Sequence, residues 1–488
     1  MDGPPASQAE SVASRPLDES QKPIAGLLLV AGAFFMEYID GTVIATALPQ
    51  MARTFHTRAV DLNVGMTAYM LTLAVFIPIS GWVADRFGSR RIFASAIAIF
   101  TLSSVFCGLS NGLLSFTLLR VIQGIGGAMM VPVGRLVVLR TTEKKDLIRS
   151  IAYLTWPALA APIIGPPLGG FITTYASWRW IFFINVPLGI LAFILTFIFL
   201  RDERQEQEAF DWITFLLSGT ACTAFVYGLE LLGRTDSSLV IGVALLVLSL
   251  LAAAAAVSTT RKSKAPLIDL ESLKLRTFAV PVFGGSLFRI AISVSPFLLP
   301  LMFQIGFGMD AFHSGMFVLA LFAGNLGMKA VTTPLLRIFG FRQVLIVNGI
   351  ATGLGILVCA LLLPKTPGVL IFLVLFINGL CRSMQFTAMS SLAFVDVPFE
   401  RMSSANSFFS TVQQLGNSLG VAVGALALRT ATILHGNAHG APNVGDFHLA
   451  FIFVGVFALV SVADCFLLPA DAGSITSGHR SNSQESPA

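Results

Sequence analysis

LLSFTLLRVIQGIGGAMMVPVGRL, residues 113–136, is an apolar run long enough to cross a hydrocarbon core of ~30 Å. Two arginines fall in it, Arg120 well inside and Arg135 next to its end. A cation within a lipid-spanning helix costs roughly 2.5–3.5 kcal/mol on insertion scales unless it is paired or hydrated. Arg120 must therefore face a carboxylate or a wet cavity rather than lipid. Gln123, Gly124 and Gly127 follow it at helical spacing, so the four share one face. The segment reads as a membrane-crossing helix with a polar stripe turned toward the inside of a helix bundle.

The rest of the chain repeats the apolar theme. Of 488 residues 55% are hydrophobic and only 12% charged, with Phe at 41 against Tyr at 5. Soluble domains carry about 25% charged residues, and a mean hydropathy of +0.80 leaves no soluble packing able to hide so much apolar surface. Fourteen runs reach spanning length: six between 24 and 200, two between 212 and 258, and six between 279 and 468. Runs this long are helices, because backbone in lipid is satisfied only in helices or closed barrels. The expected fold is an all-α integral membrane protein with 14 transmembrane helices as 6+2+6.

Lys and Arg set the orientation. With the N-terminus inside, 20 of the 31 fall on the cytoplasmic side, 6 outside and 5 within spans. That asymmetry predicts both termini to be cytoplasmic. The net charge of +5 is then a topology signal, and no nucleic-acid partner is expected. Expected boundaries are a disordered tail at 1–23, a first bundle at 24–200, linker helices and connectors at 201–278, a second bundle at 279–471 and a tail at 472–488. No removable signal peptide is expected, since no apolar core followed by small residues opens the chain. The five cysteines fall inside spans and form no disulfide or zinc pattern. His435, His439 and His448 read as a solvated outer loop, so neither metal nor cofactor is expected. Trp178 and Trp180 read as an interfacial anchor. There is a faint internal echo: GWVADRFGSRR (81–91) follows the second span, and LLRIFGFRQ (335–343) follows the second span of the last six.

Four segments carry more than topology: MEYIDGTVIATALP (36–49), GWVADRFGSRR (81–91), LLRVIQGIGGA (118–128) and PIIGPPLGGFI (162–172). Glu37 and Asp40, three apart on the first span, share a face at a depth overlapping that of Arg120, so they are its natural partners. Gly165, Pro166, Gly169 and Gly170 are too rich in Gly and Pro for simple helix propensity; they favour a bend and tight packing. In order, these segments resemble the signatures of the 14-span drug:proton antiporter branch of the major facilitator superfamily. GGAMMVPVGRL (126–136), YASWRWIFFIN (175–185), RTFAV (276–280), PFLLPLMFQIGFGMDAFHSG (296–315) and GMK (327–329) carry a closer resemblance to the MdtD-type exporters of enteric bacteria.

That resemblance implies two six-helix bundles working by alternating access, with protons, a small-molecule cargo and the lipid bilayer as partners. It implies the bacterial cytoplasmic membrane; a periplasmic adaptor stays open. Asp40 matches the first-span acid of the branch and is the first proton-coupling candidate, with Arg120. Glu37 lies outside that motif and is the second. Gly81, Asp85, Arg86, Gly88, Arg90 and Arg91 match a cytoplasmic latch between halves, Gly81 allowing close helix approach. Gly165, Pro166, Gly169 and Gly170 match the antiporter hinge, although Ala161 replaces its usual first glycine. Arg289, Lys329 and Arg382, intramembrane cations without acids in their own helices, are candidate cavity residues with Gln123. Two cargo classes stay open: amphiphilic drugs, or an anion such as citrate or a metal–citrate complex, which a surplus of buried cations would suit. A non-transporting membrane sensor is the remaining alternative. No phosphate-cradling loop or ligand cluster points to an enzyme.

Overall fold

A computed structural model describes residues 22–141, 147–200, 210–232, 239–262, 270–398, 402–436, 441–469 and 472. Among these the chain is helical, with no strand. The helices are α1 (Lys22–Val43), α2 (Leu48–Phe55), α3 (Asn63–Phe87), α4 (Ser89–Leu109), α5 (Leu113–Thr141), α6 (Leu147–Tyr175), α7 (Trp180–Phe183) and α8 (Asn185–Phe199). They continue as α9 (Trp212–Leu232), α10 (Leu239–Lys262), α11 (Arg276–Leu301), α12 (Ala311–Met328), α13 (Thr332–Cys359), α14 (Gly368–Leu392), α15 (Met402–Leu434) and α16 (Val444–Val460). Thirteen segments among the described residues are long and apolar enough to cross a membrane. The expected run at 150–172 falls in α6, whose side chains at 147–159 lie outside the described residues. The protein is an all-α, multi-pass membrane protein.

The first six spans pack as one group, with α5 against α3 and α4, and α1 against α6 and α8. The last six form another, with α12 and α13 on α14, α11 on α15, and α13 and α15 on α16. Between the groups, α3 packs on α15 and α6 on α12. The second span of each group thus meets the fifth of the other, the pairing a duplicated unit makes across a pseudo-twofold axis. The helices α9 and α10 pack on each other, and α9 reaches α3 and α15. Only 22% of the apolar window of α10 is buried, against 78% of that of α11, so α10 is peripheral and α11 central.

The echo seen in the sequence has a backbone counterpart. Gly88, between α3 and α4, has φ 98°, and Gly340, inside α13, has φ 70°. Both turn the chain where a side chain would be strained. Gly340 therefore splits α13 into a short leading helix and the span proper. Two expectations are corrected. Trp178 is buried, with Nε1 donating to Thr54 Oγ1 at 3.0 Å and its ring edge-on to Phe55; only Trp180 is exposed as an anchor would be. Of the histidines, His435 is exposed as expected, whereas His448 lies within α16 and not in a loop. His435 Nδ1 lies 2.6 Å from Asp446 Oδ1, and His448 Nε2 lies 2.7 Å from the Leu362 carbonyl. His439 lies outside the described residues.

Candidate functional site

Arg120 and Asp40 meet. Arg120 Nη1 donates to Asp40 Oδ2 at 2.6 Å, and both side chains are 1% exposed. Gln123, one turn further along α5, places its Nε2 3.1 Å from Asp40 Oδ1 and accepts from Arg120 Nη1 at 2.7 Å. Asn185, at the start of α8, donates Nδ2 to Asp40 Oδ1 at 2.9 Å and to Ser104 Oγ at 3.0 Å. Ser104 in turn donates to the Phe182 carbonyl at 2.9 Å. The guanidinium lies over the Tyr69 ring, 4.1 Å from its centroid. Two helices, α5 and α8, thus donate to one carboxylate while α3 and α4 brace the donors, and removing a single partner from a buried pair typically costs about 3–5 kcal/mol. Asn185, Ser104 and Tyr69 were not singled out from the sequence. The available signal was a lone Asn within the apolar stretch IFFINVPLGIL (181–191), since polar side chains in spans tend to bond across helices.

Beside this network lies a cavity of about 700 Å³ between the two helix groups. It extends to Gly81, Leu136 and Asn406, toward the end that the charge distribution assigns to the cytoplasm. At the other end the groups are joined. Arg429 Nη2 of α15 donates to Asp61 Oδ1 at 2.5 Å, and Arg58 Nε donates to Asp61 Oδ2 at 2.9 Å. The Gln304 amide donates to the Thr46 carbonyl at 3.1 Å, and one apolar core runs from Ile44 and Leu48 to Phe297 and Phe303.

The expected site residues separate into groups. Glu37 and Arg382 line the cavity. Glu37 Oε2, Arg382 Nη1 and the Tyr69 hydroxyl are buried without a hydrogen-bond partner. Asp40 and Arg120 are sealed behind the lining, and Gln123 belongs to their network instead of the cavity wall. Arg289 is also set back from the lining: its guanidinium lies 4.2 Å from the Phe386 ring centroid, and its stem packs against Gly416. Lys329 lies outside the lining. The helix α12 breaks after Met328, leaving Lys329 exposed at its C-terminus, where a cation is favoured, and Nζ donates to Thr387 Oγ1 at 2.6 Å. The sequence count carried that span through the break.

The glycine segments divide too. A side chain at Gly165 would overlap Thr42, and one at Gly169 would overlap the Val43 carbonyl and Thr46, so α6 lies hard against α1. On its other side Gly170 abuts the Ala311 carbonyl, and the Pro166 carbonyl abuts Gly315 of α12. The expected tight packing is present on two faces at once. At Gly81, by contrast, a Cβ would meet nothing within 4 Å, so the expected close helix approach is not made in this conformation. Asp85 is buried, Arg86 lies over the Trp82 ring and Arg90 over that of Phe197.

The family model of the Major Facilitator Superfamily matches residues 30–421. The chain belongs to the major facilitator superfamily. Among its relatives in that superfamily is MdtD of Escherichia coli O6:H1 (strain CFT073), a protein named for multidrug resistance. The two are 36% identical over 456 residues, which covers 91% of this chain and 93% of the relative. MdtD of Shigella boydii serotype 18 is 36% identical over 454 residues, covering 90% and 93%. Solved superfamily transporters share the fold. A bacterial homologue of the human lysosomal transporter Spinster aligns at a TM-score of 0.66 with 15% identity, over 95% of this chain and 100% of that one. A D-xylose–proton symporter aligns at 0.66 with 13% identity, over 92% and 99%. The protein is a transporter of this superfamily in the bacterial cytoplasmic membrane.

Proposed function

We propose that this transporter is a proton-coupled antiporter that exports small molecules of the multidrug type by alternating access. The observation that carries the reading is Glu37: a carboxyl on the cavity wall with a buried, unpartnered oxygen, one helical turn from the Asp40–Arg120 pair. A proton can reach Glu37 from the cavity. Asp40 and Arg120 are closed to it until the helices around them part, so they respond to Glu37 through the short stretch of α1 between them. The bundles at 24–200 and 279–471 rock against each other, with 201–278 connecting them and both termini in the cytoplasm. In the conformation at hand the outer end is held shut by Asp61 and Arg429, while at Gly81 a side chain would meet nothing within 4 Å.

A second reading of the cargo, an anion such as citrate or a metal–citrate complex, is favoured by Arg382 with its unpartnered Nη1 in the cavity. The test is proteoliposomes holding a pH-sensitive dye under an imposed proton gradient, with ethidium and citrate added separately. Proton flux evoked by ethidium supports drug efflux, and flux evoked by citrate alone supports the anion. Silence with both sends the cargo question to a wider screen of metabolites and drugs. The coupling assignment fails if Glu37→Gln and Asp40→Asn proteins, inserted normally, exchange at the wild-type rate.

A further inference from the structure

The central cavity is bipolar. On the wall of the first bundle, Glu37 of α1 and Tyr69 of α3 present a carboxyl oxygen and a hydroxyl without partners. Gly127 of α5 keeps the space between them open: a Cβ there would stand 3.0 Å from the Tyr69 hydroxyl oxygen and 3.6 Å from the Glu37 carboxyl carbon. Glu37 is only 9% exposed, and among the described residues it has no ion-pair or hydrogen-bond partner. On the facing wall, Arg382 of α14 holds an unpartnered Nη1, its guanidinium 5.7 Å from the Phe322 ring centroid. Arg289 stands behind it within Coulombic reach, which deepens the positive pole. Neither arginine has an ion-pair partner among the described residues. The same lining includes the apolar side chains of Met66, Met70, Leu73 and Phe297. Arg135, the other charged residue of the lining, stands toward the cytoplasmic end on the first bundle's wall and acts on Tyr38.

We infer that the cargo of this cavity is an amphipathic zwitterion, with an ammonium end at Glu37 and Tyr69, an apolar body, and a carboxylate or similar anionic end at Arg382. This rests on the transport reading and narrows its cargo. A cargo that fills the cavity expels the water that hydrates both poles. With Glu37 ionised, a purely cationic cargo satisfies it and leaves the Arg382 guanidinium dry and unpaired, and a purely anionic one does the reverse. Leaving a buried charge unpaired is the larger cost, so each pole rejects a molecule lacking the matching group more strongly than it attracts one that has it. A zwitterion satisfies both. It also explains why the poles lie on different bundles: a bound cargo ties the two halves together, and a proton on Glu37 replaces only its ammonium end.

The test is equilibrium binding to the full-length protein in nanodiscs, read by ligand fluorescence. The probes are norfloxacin, which carries both a piperazinium and a carboxylate, its ethyl ester, which keeps the cation alone, and its N-acetyl derivative, which keeps the anion alone. Norfloxacin is expected to bind at least about tenfold more tightly than either derivative. Glu37→Gln brings norfloxacin to the level of the N-acetyl compound, and Arg382→Gln brings it to the level of the ester. Arg382→Lys restores part of the loss, which separates a lost charge from a damaged fold. Equal affinities for the three probes, or norfloxacin binding unmoved by either variant, overturns the assignment. Proton flux is read separately in liposomes. Charge-selective binding without cargo-evoked flux would remove the antiport reading and leave the zwitterion site standing.

Discussion

Gln123 on α5 lies 3.8 Å from Cys107 of α4, and Asn378 on α14 lies 4.0 Å from Cys359 of α13. Cys107 follows Gly88 by 19 residues and Cys359 follows Gly340 by the same 19, so the two contacts occupy equivalent places in the two halves. Three residues before Gln123 stands Arg120, with Asp40 as its partner; three residues before Asn378 stands Leu375, fully buried among apolar side chains. One half keeps a paired charge in its interior. The other keeps a dry core there and carries its cations nearer the cavity, at Arg382 and Arg289. The same scaffold has thus been put to two uses, with a paired charge network on one side and an unmatched positive charge on the other.

The largest expected effect tests this contrast directly. Asp40→Asn or Arg120→Ala should lower stability by roughly 3–5 kcal/mol, since each leaves a buried polar group stranded. Asn378→Leu, at the equivalent place, should cost no more than about 1 kcal/mol. Thermal unfolding of the purified proteins in detergent measures both, and similar losses at the two sites would erase the distinction. A second contrast sets the packed seam against the open end. Gly165→Leu overpacks against Thr42 and should cost about 1–3 kcal/mol. Gly81→Leu should leave unfolding nearly unchanged yet slow cargo-driven proton flux, because the clash would arise only when the halves close there.

Smaller effects lie at the outer end. Asp61→Asn weakens the tie to Arg429 by about 1 kcal/mol, the scale of partly exposed pairs. A cysteine placed at Gln304 should then react several-fold faster with a membrane-impermeant maleimide added outside. An unchanged rate would show that the apolar core, not the ion pair, holds that end shut. The smallest effect concerns Asp310, whose side chain caps α12 by accepting from the His313 N–H at 2.8 Å. Partial burial pushes its carboxyl up, but the His313 backbone and ring bonds outweigh this and hold it below the usual range. A depressed carboxyl contributes stability above its unfolded pKa and loses it as pH falls through the folded one. Asp310→Ala should therefore cost about 1 kcal/mol at neutral pH and much less in acid, measured by unfolding at both.

The membrane class, the spans and the Arg120–Asp40 pair were legible because they rest on hard costs. Apolar length and a cation in lipid admit few solutions. The tight faces of Gly165, Gly169 and Gly170 were legible for the same reason, since bulk there has nowhere to go. What the sequence could not give was which side of a shared helical face is wet. Glu37 and Asp40 are one turn apart and look alike in the chain, yet one lines the cavity and the other is sealed; the difference comes from Asn185, Ser104 and Gln123 arriving from three other helices. Lys329 was misplaced for a local reason, a helix break that hydropathy does not register. Gly81 was read as a packing residue because spacing carries no information about which conformation is being viewed.

A duplicated carrier has two flanks where its halves meet, and by symmetry they would be interchangeable. Here they are not, because α9 lies against both α3 and α15 and covers that flank, whereas the α6–α12 flank is held by glycine contacts. The two flanks therefore present different surfaces to the bilayer, one covered by a helix and one a glycine-packed seam. The α9–α10 pair thus gives the protein a front and a back in the plane of the bilayer.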